Sequence, residues 1–415
     1  MLNAIALFIP IFLLLVGIEW YISQKKEDQV YATGNTVMNM TIGAIDQISS
    51  LFYFVALFVV LEYVYTHFRI LEIDNNWMQW VLAFFAVDFL SYWYHRLSHT
   101  MNIFWAGHVT HHSSEYFNLT NGFRTSFFQG INRIIFWAVL PVFGFSPIVL
   151  IVILKISGIH DFFLHTQYIS KLGFLEKIFV TPSLHRVHHG KNDIYIDKNF
   201  GSVLLIWDYL FGTLQRETEE VQYGIKGHYV DNSPVVAIGH HYFYLWKTIS
   251  KTKQWYNKFK LLVMPPDWVP DEVQSTEGTP VQGSVSITTL QRSYAYFQTT
   301  ICVIGVILLL VFKNMLSIWE LLLFSGILVS SLSISTLIFN KNIRPGFINW
   351  ESFRLICSIF LVSLMMTQYS GNYLLVVLLY LFLSLFLNIG NKENSLKWTN
   401  NYFKSIARVI RLRPK

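Results

Sequence analysis

Seven apolar stretches, most of them close to the length that a helix needs to cross a bilayer, constrain this chain more than any other feature. They lie at residues 3–22, 44–65, 77–93, 296–312, 316–339, 353–366 and 373–389. About 20 apolar residues suffice for one crossing. The chain is 53% hydrophobic and 13% charged, whereas about 25% of the residues in a soluble protein are charged. The sequence therefore predicts an all-α fold, a polytopic integral membrane helical bundle.

Eight histidines fall in three short clusters near the ends of apolar stretches. The clusters read HRLSH, HVTHH and HRVHH, and they comprise His95, His99, His108, His111, His112, His185, His188 and His189. Residues three or four apart share one face of a helix, and neutral imidazole is the commonest metal ligand in proteins. Any single histidine of this kind is more often an ordinary surface or core residue. The joint pattern favours metal binding.

The number of histidines predicts two metal ions side by side, because a mononuclear site needs only three or four ligands. Nitrogen ligands suit zinc, copper, iron or nickel, and the spacing alone does not select among them. We expect two irons, since a redox-active pair can activate O2 for attack on an unactivated C–H bond. The two cysteines, Cys302 and Cys357, lie in apolar stretches, which excludes a cysteine-rich metal site.

A further apolar run, at residues 131–159, is interrupted near its middle by Gly144, Ser146 and Pro147, which favour a turn. Each half has about 13 residues, and at ~1.5 Å per residue such a helix is roughly 20 Å long. That length is too short to cross a hydrocarbon core of about 30 Å. The sequence therefore predicts a re-entrant helical hairpin that returns to the side of the membrane from which it came.

The order of segments predicts four regions. These are a membrane-embedded catalytic domain at 1–270, a linker at 271–294, a four-helix transmembrane region at 295–390 and a basic tail at 391–415. Lys and Arg concentrate in the histidine-bearing loops and in the tail, so the positive-inside rule predicts a cytoplasmic histidine-rich di-metal cap, in a bacterial inner membrane or an endoplasmic reticulum membrane. The basic residues form no dense block, which argues against nucleic-acid binding. Residues 1–21 lack the flanks of a signal peptide, and we expect a retained helix.

The sequence resembles the fatty acid hydroxylase/sterol desaturase superfamily of membrane di-iron oxygenases, which is marked by three such clusters after a transmembrane helix. The histidine motifs carry the resemblance to the superfamily. The flanking stretches GHVTHHSSEYFNLTNGFRTS, TPSLHRVHHGKND and YIDKNFGSVLLIWDYLFGT narrow it to members that cleave ether lipids.

This resemblance implies a monooxygenase that uses two iron ions, O2 and tetrahydrobiopterin. Its lipid substrate would be a glyceryl ether, hydroxylated on the carbon next to the ether oxygen and then broken down to a fatty aldehyde and a glycerol derivative. Two alternatives stay open. One is a sterol or fatty-acyl hydroxylase or desaturase with another reductant, supplied by an electron-donor protein. The other is a histidine-rich metal transporter or storage protein, which would need polar residues throughout the spans rather than histidines at helix ends.

The resemblance also implies a ninth ligand, which in such sites often comes from between the second and third clusters. His165 in LHTQYI matches that position, and His160 is the alternative. Being five residues apart, the two cannot share one face of a helix. We expect His165 to be the ligand.

Three other polar residues are candidate catalytic residues. Glu115 follows the second cluster and could bind iron, orient a histidine or form a surface pair, and we favour orientation. Asn118 could support the same loop, together with Arg124. Asp88 lies in an apolar stretch seven residues before the first cluster. Because an acid is costly in lipid, Asp88 is expected to orient a histidine or to line the substrate channel.

The remaining polar residues carry less weight. Asp161 and Asp197 could orient imidazoles, although Asp197 in DKNFG could also be a turn residue. His240 and His241 form a pair without a third histidine, so we place them outside the metal ligands. They are candidates for the cofactor pocket or for a purely structural role.

Overall fold

The computed structural model describes residues 2–226, 233–273, 289–339, 347–366 and 372–389. Its helices are α1 (Leu2–Lys26), α2 (Thr33–Phe68), α3 (Trp77–Thr100), α4 (Asn102–His112), α5 (Phe127–Trp137), α6 (Pro147–Leu164), α7 (Pro182–His188), α8 (Ile206–Leu210), α9 (Pro234–Lys251), α10 (Trp255–Val263), α11 (Thr289–Phe312), α12 (Ile318–Ser335), α13 (Phe347–Met366) and α14 (Asn372–Ile389). Extended segments in these ranges form only two isolated bridges, Phe179 with Leu204 and Gly190 with Tyr223. The predicted all-α fold is confirmed.

The chain divides into two compact units. The larger comprises Pro10–Val230 and Val235–Val281, and it contains all three histidine clusters. The smaller comprises Met1–Ile9, Asp231–Pro234 and Gln282–Lys415, and its helices α11 to α14 pack on one another. The basic tail at 391–415 and most of the linker at 271–294 lie outside the described residues. The four predicted regions stay predictions.

Five helices in the described ranges are long and apolar enough to cross a membrane. They are Phe8–Lys26, Thr33–Phe68, Pro147–Leu164, Gln291–Met315 and Asn349–Met366. Three further apolar helices, Phe127–Phe143, Ile318–Ser333 and Tyr373–Asn388, are shorter. The protein is therefore an integral, multi-pass membrane protein, as predicted.

Helix α3 departs from the expectation for residues 77–93. It is 24 residues long, yet it is not among the five candidate spans. Gln79, Asp88 and several Tyr and Trp residues lower its mean hydropathy. Both of these polar side chains are buried in the protein, so α3 packs inside the bundle as much as it faces lipid.

The interrupted run at 131–159 folds as two helices of unequal length. The break lies where the sequence predicts it, because Gly144 adopts a left-handed conformation (φ 87°) and Pro147 begins the next helix. The predicted halves of 13 residues are wrong: α5 has 11 residues and α6 has 18, since α6 continues past the apolar run to Leu164. Helix α6 is itself a candidate span. The re-entrant course stays a prediction.

A buried apolar core fixes the position of α3. Leu61 of α2, Val87 of α3 and Leu150 of α6 are fully buried in it, and Trp137 and Phe145 are nearly so. Burying such side chains contributes about 1.5–3 kcal/mol each. Because α3 is held from several sides, its last two turns present the first histidine cluster at a defined place.

Candidate metal centre

A sharp corner joins the first histidine cluster to the second. Helix α3 ends at Thr100 and α4 begins at Asn102, so Met101 alone separates them. Met101 is extended (φ −125°, ψ 123°), and its N–H donates to the carbonyl of Leu97 to cap α3. The chain thereby reverses within one residue, and α3 and α4 pack on each other.

Nine histidines converge in two groups. The first group contains His95, His99, His108, His112 and His188, and the second contains His111, His165, His185 and His189. In each group one ring nitrogen from every member lies within 4.8 Å of those of the others. The structure therefore brings together the eight cluster histidines and one more.

Each HxxHH cluster contributes to both groups. In α4, His108 and His112 belong to the first group and His111 belongs to the second. In the third cluster the assignment is the opposite: His185 and His189 belong to the second group, and His188 belongs to the first. At 3.6 residues per turn, residues four apart point within about 40° of each other, whereas adjacent residues point about 100° apart. The motif therefore serves two neighbouring sites from one helix.

The ring nitrogens of the first group are spaced as the ligands of one metal ion would be. Nε2 of His112 lies 3.2, 3.1 and 3.1 Å from the Nε2 atoms of His99, His108 and His188. An imidazole nitrogen offers one proton or one lone pair, so hydrogen bonds cannot account for three such neighbours. Ligands about 2.1 Å from a metal ion lie roughly 3.0 Å apart at right angles and roughly 3.4 Å apart at tetrahedral angles. The observed distances fall in this range.

The second group has the same spacing. Nε2 of His165 lies 3.3 Å from that of His111 and 3.0 Å from that of His185. Nε2 of His189 lies 3.1 Å from that of His185. The residues present therefore fit a metal ion in each group.

In four of these histidines the second ring nitrogen, Nδ1, is within hydrogen-bond distance of a backbone carbonyl oxygen. The Nδ1 atoms of His95, His111, His165 and His188 lie 3.0, 3.3, 2.8 and 2.9 Å from the carbonyl oxygens of Phe200, Arg124, Asp161 and Lys198. Because a carbonyl only accepts hydrogen bonds, each Nδ1 carries the proton and each Nε2 keeps a lone pair for a metal. Nε2 of His95 is buried and has no hydrogen-bond partner, as a nitrogen reserved for a metal should be.

Burial keeps the histidines of α4 and α7 neutral. It lowers the pKa of His108, His111, His112, His185 and His188 well below the usual value, and the neighbouring imidazoles lower it further. Neutral imidazole is the form that binds a metal. These five histidines are therefore favoured in the form that binds a metal.

Comparison with known proteins identifies the family. The fatty acid hydroxylase family model matches residues 80–213, the segment that contains both histidine groups. Human alkylglycerol monooxygenase is 35% identical over 306 residues, which cover 71% of this chain and 68% of the human protein. This chain belongs to the alkylglycerol monooxygenase family.

Other relatives agree with this assignment. Alkylglycerol monooxygenase of Xenopus tropicalis is 40% identical over 211 residues, which are 50% of this chain and 47% of the frog protein. An ornithine lipid hydroxylase of Rhizobium tropici is 32% identical over 142 residues, which are 32% of this chain and 43% of that protein. No solved structure is significantly similar to the chain. Family membership makes the protein an oxidoreductase, a membrane-bound lipid monooxygenase.

The two candidates for a ninth ligand lie in different surroundings. His165 is fully buried and belongs to the second group. His160 is only partly buried and belongs to neither group. His165 directly follows the last residue of α6, where the chain leaves the helix and turns inward. The geometry supports the preference for His165.

Glu115 and Asn118 are not among the residues of the two histidine groups. Glu115 is exposed, which argues against direct metal binding, and orientation of an imidazole by Glu115 stays a prediction. Asn118 is buried, and its side chain donates to the carbonyl of Val30 and accepts from Thr120. It begins the short 3-10 turn over Leu119–Phe123. Asn118 therefore supports the loop, as the sequence suggests, and a catalytic role stays a prediction.

Asp88 anchors a loop instead of contacting an imidazole. Its carboxylate accepts from the N–H groups of Val203 and Leu204 at 2.9 and 3.2 Å, and from the indole of Trp207 at 2.9 Å. The carboxylate contacts therefore contradict a direct histidine partner for Asp88, and the alternative that it lines the substrate channel stays a prediction.

Asp161 and Asp197 come closer to the role of orienting an imidazole. Oδ1 of Asp197 lies 3.5 Å from Nδ1 of His99, and Asp161 holds His165 through its carbonyl. Asp197 also has a positive φ of 56°, so it is a turn residue as well.

The remaining histidines among the described residues lie outside both groups. Nε2 of His241 lies 2.5 Å from Oδ1 of Asn102, and Nδ1 of His240 faces backbone carbonyls one turn earlier in α9. Both are structural contacts, and a role in the cofactor pocket stays a prediction. His67 faces the carbonyl of Tyr63 at the exposed end of α2.

Two buried acids that position the site were missed from the sequence. Asp208, fully buried, accepts from the N–H groups of Phe200 and Gly201 at 2.8 Å each, and the carbonyl of Phe200 holds His95. Glu19 of α1 accepts from the N–H of Leu119 and from the hydroxyl of Thr166, next to His165. The sequence feature that could have pointed to Asp208 is the LIWDYLFGT block, which contains it.

Replacing Asp208 with Ala is expected to lower both the metal affinity of the first histidine group and the stability of the fold. Two buried N–H groups would lose their acceptor, at a cost of about 1–3 kcal/mol each, and the carbonyl that orients His95 would move. Loss of such an outer contact lowers metal affinity by about 10–100-fold. Thermal unfolding and iron content at limiting iron measure both effects. Asp193→Ala, at an exposed acid, should change neither, and an unchanged Asp208→Ala protein would refute the role.

Proposed function

We propose that this protein is a di-iron monooxygenase that hydroxylates alkylglycerols. The observation that carries the proposal is the division of nine histidines, most of them buried, into two groups with ligand-like spacing. The first group would hold one iron through five imidazoles, and the second would hold the other through four. Bound iron supplies the redox chemistry with which O2 attacks an unactivated C–H bond.

The substrate class rests on the relatives. The human, frog and zebrafish relatives are named alkylglycerol monooxygenases. Hydroxylation of the carbon next to the ether oxygen produces a hemiacetal, which breaks down to a fatty aldehyde and a glycerol derivative. One atom of O2 enters the C–H bond and the other leaves as water, which requires two electrons. Tetrahydrobiopterin is the proposed donor of those electrons.

The protein's own groups would prepare the site for this chemistry. The carbonyls behind His95, His111, His165 and His188 fix the tautomer of each ring, so no proton has to move when a metal binds. The burial of most of these histidines keeps bulk water away from the site, and this limits side reactions during oxidation. The multi-pass helices would let a lipid reach the site from the bilayer.

Membrane sidedness belongs to the same proposal. The basic loops and the basic tail favour a cytoplasmic metal site by the positive-inside rule. A cytoplasmic site would have access to a soluble pterin. If the reductant is not a pterin, an electron-donor protein would dock on that same face.

A fatty-acyl or sterol hydroxylase is the second candidate. The match to an ornithine lipid hydroxylase favours it, because that relative is named for a different lipid. Purified protein loaded with iron should release a fatty aldehyde from an alkylglycerol only when O2 and tetrahydrobiopterin are both present. Turnover of fatty-acyl lipids instead, or turnover that needs an electron-donor protein and ignores pterin, would favour the second candidate.

A further inference from the structure

Helices α9 and α10 each turn an aromatic face outward. The side chains that form these faces are between 50% and 79% exposed, and they are Phe243, Trp246, Trp255, Tyr256 and Phe259. Residues three or four apart lie on one side of a helix. Phe243 and Trp246 therefore share a face of α9, and Trp255 and Phe259 share a face of α10. Exposed aromatic faces of this kind mark an interaction surface.

The same two helices and the turn between them are basic. Five lysines lie here, and no Asp or Glu occurs between Asp231 and Asp267. The lysines are Lys247, Lys251, Lys253, Lys258 and Lys260. Positive charge without nearby acids favours an anionic partner. Exposed aromatic residues together with lysines are typical of helices that lie in the interface plane of a membrane, where Trp and Tyr are also enriched.

Neither helix is built to cross the bilayer. Helix α9 has 18 residues and α10 has nine, and neither is among the candidate spans or the shorter apolar helices of the described ranges. Their opposite sides pack on the protein, since Leu245 of α9 and Leu261 of α10 are buried. Each helix thus has one buried side and one exposed aromatic side, as expected for a helix that lies along a membrane surface.

Helix α9 adjoins the apolar helix α5. The ring centroid of Tyr242 in α9 lies 4.4 Å from that of Phe128, in the first turn of α5. Helix α5 exposes Ile131 and Ile135, and it belongs to the apolar segment Phe127–Phe143. Exposed isoleucines on an apolar helix of a multi-pass membrane protein are expected to face lipid. The contact therefore places α9 beside a part of the protein that the bilayer surrounds.

Both helices also contact α4, which carries the second histidine cluster. The hydroxyl of Thr110 in α4 donates to the carbonyl of Ala237 in α9 at 2.9 Å, and Oδ1 of Asn102 lies 2.5 Å from Nε2 of His241. Just after α10, the carbonyl of Met264 accepts from the N–H of Asn102 at 2.9 Å. A surface that holds α9 and α10 therefore also holds α4.

We propose that α9 and α10 lie in the headgroup layer of the bilayer, with their aromatic faces toward the acyl chains and their lysines on the phosphates of anionic lipids. The bilayer is favoured over a soluble protein because the chain is already embedded in it and because the lysines match its anionic headgroups. Through α4, this contact sets the depth of the metal centre at the boundary between headgroups and acyl chains, where the polar end of a lipid substrate lies.

Fluorescent labels on the two aromatic faces test the location. The full-length, iron-loaded protein with Cys302→Ala and Cys357→Ala carries one new cysteine, at Trp246→Cys or Phe259→Cys, and is labelled in nanodiscs that contain phosphatidylglycerol. Nitroxide-bearing lipid should quench either label, whereas iodide in the water should quench it much less. A label at Asp193→Cys, an exposed loop position, should show the reverse.

The contrary result is equally clear. If iodide quenched the label at position 246 or 259 as strongly as the label at position 193, the proposal would be overturned. The aromatic faces would then be available to a protein partner instead.

Charge variants test the binding of anionic lipid. One lysine near an anionic membrane contributes about fivefold to the attraction. Lys251→Gln with Lys253→Gln should therefore raise iodide quenching at position 259 toward the level of the control label. Lys191→Gln with Lys226→Gln makes the same change of charge in loops after the third histidine cluster and should leave the quenching unchanged. Equal effects of the two pairs, or no effect of the first, would contradict the role of the lysines.

Hydrogen exchange of the unaltered chain provides a second measurement if the variants without native cysteines do not fold. Backbone amides of residues 236–263 should exchange about fivefold more slowly, or slower still, in nanodiscs with phosphatidylglycerol than in nanodiscs of phosphatidylcholine alone. Amides of residues 191–195 should exchange at the same rate in both. Equal rates for residues 236–263 in the two kinds of nanodisc would overturn the proposal.

Discussion

Replacing His188 with Ala is expected to remove one of the two irons and to reduce turnover more than about 100-fold. The Nε2 of His188 lies 3.1 Å from that of His112, and its Nδ1 is held by the carbonyl of Lys198. Removing the hydrogen-bond partner of a metal ligand lowers metal affinity or activity by about 10–100-fold. Removing the ligand itself should lower both by more. Iron per chain and the rate of aldehyde release measure the effect.

The control for this prediction is His67→Ala. His67 lies at the exposed end of α2 and belongs to neither histidine group, so both iron content and turnover should equal those of the wild type. If His188→Ala retained two irons and full activity, the first group would not be a metal site.

Replacing His165 with Ala is expected to empty the second site, whereas replacing His160 is not. His165 is fully buried with its Nε2 3.0 Å from that of His185, and its loss would leave three imidazoles in that group. We expect His165→Ala to hold about one iron per chain and to lose activity to a similar degree as His188→Ala. Metal analysis and activity of the two variants, prepared in parallel, provide the comparison.

The pair of variants also discriminates between the two candidates for the ninth ligand. His160 lies five residues earlier and outside both groups, so His160→Ala should keep two irons. The reverse outcome, with iron lost from His160→Ala and retained in His165→Ala, would contradict the geometry of the second group.

The sequence predicts much of this site because two strong patterns point to it. Apolar runs near the length of a membrane crossing indicate helices regardless of tertiary context. The HxxHH spacing indicates neighbouring metals, since helical periodicity alone decides which histidines share a face. His165 was found through its place in the chain after an apolar helix, together with the family resemblance.

Other parts could not be predicted because they depend on contacts between distant segments. The carbonyls that hold His95 and His188 come from residues 198–200 and carry no side-chain signal. Asp88 lies two helical turns before His95, which suggested a contact with that histidine. Its carboxylate instead faces the loop that contains Val203. Glu115 is close to the second cluster in the chain, yet it is exposed and belongs to neither histidine group. The length of α6 was underestimated because polar Asp161 continues the helix instead of ending it.

The most direct test of the account is the number of metal ions bound per chain. The full-length protein, purified in detergent and reconstituted anaerobically with ferrous iron, should contain two irons per chain by mass spectrometry of the metal, one for each histidine group. A stoichiometry of one, or no bound iron, would contradict the di-iron centre on which the proposed reaction depends.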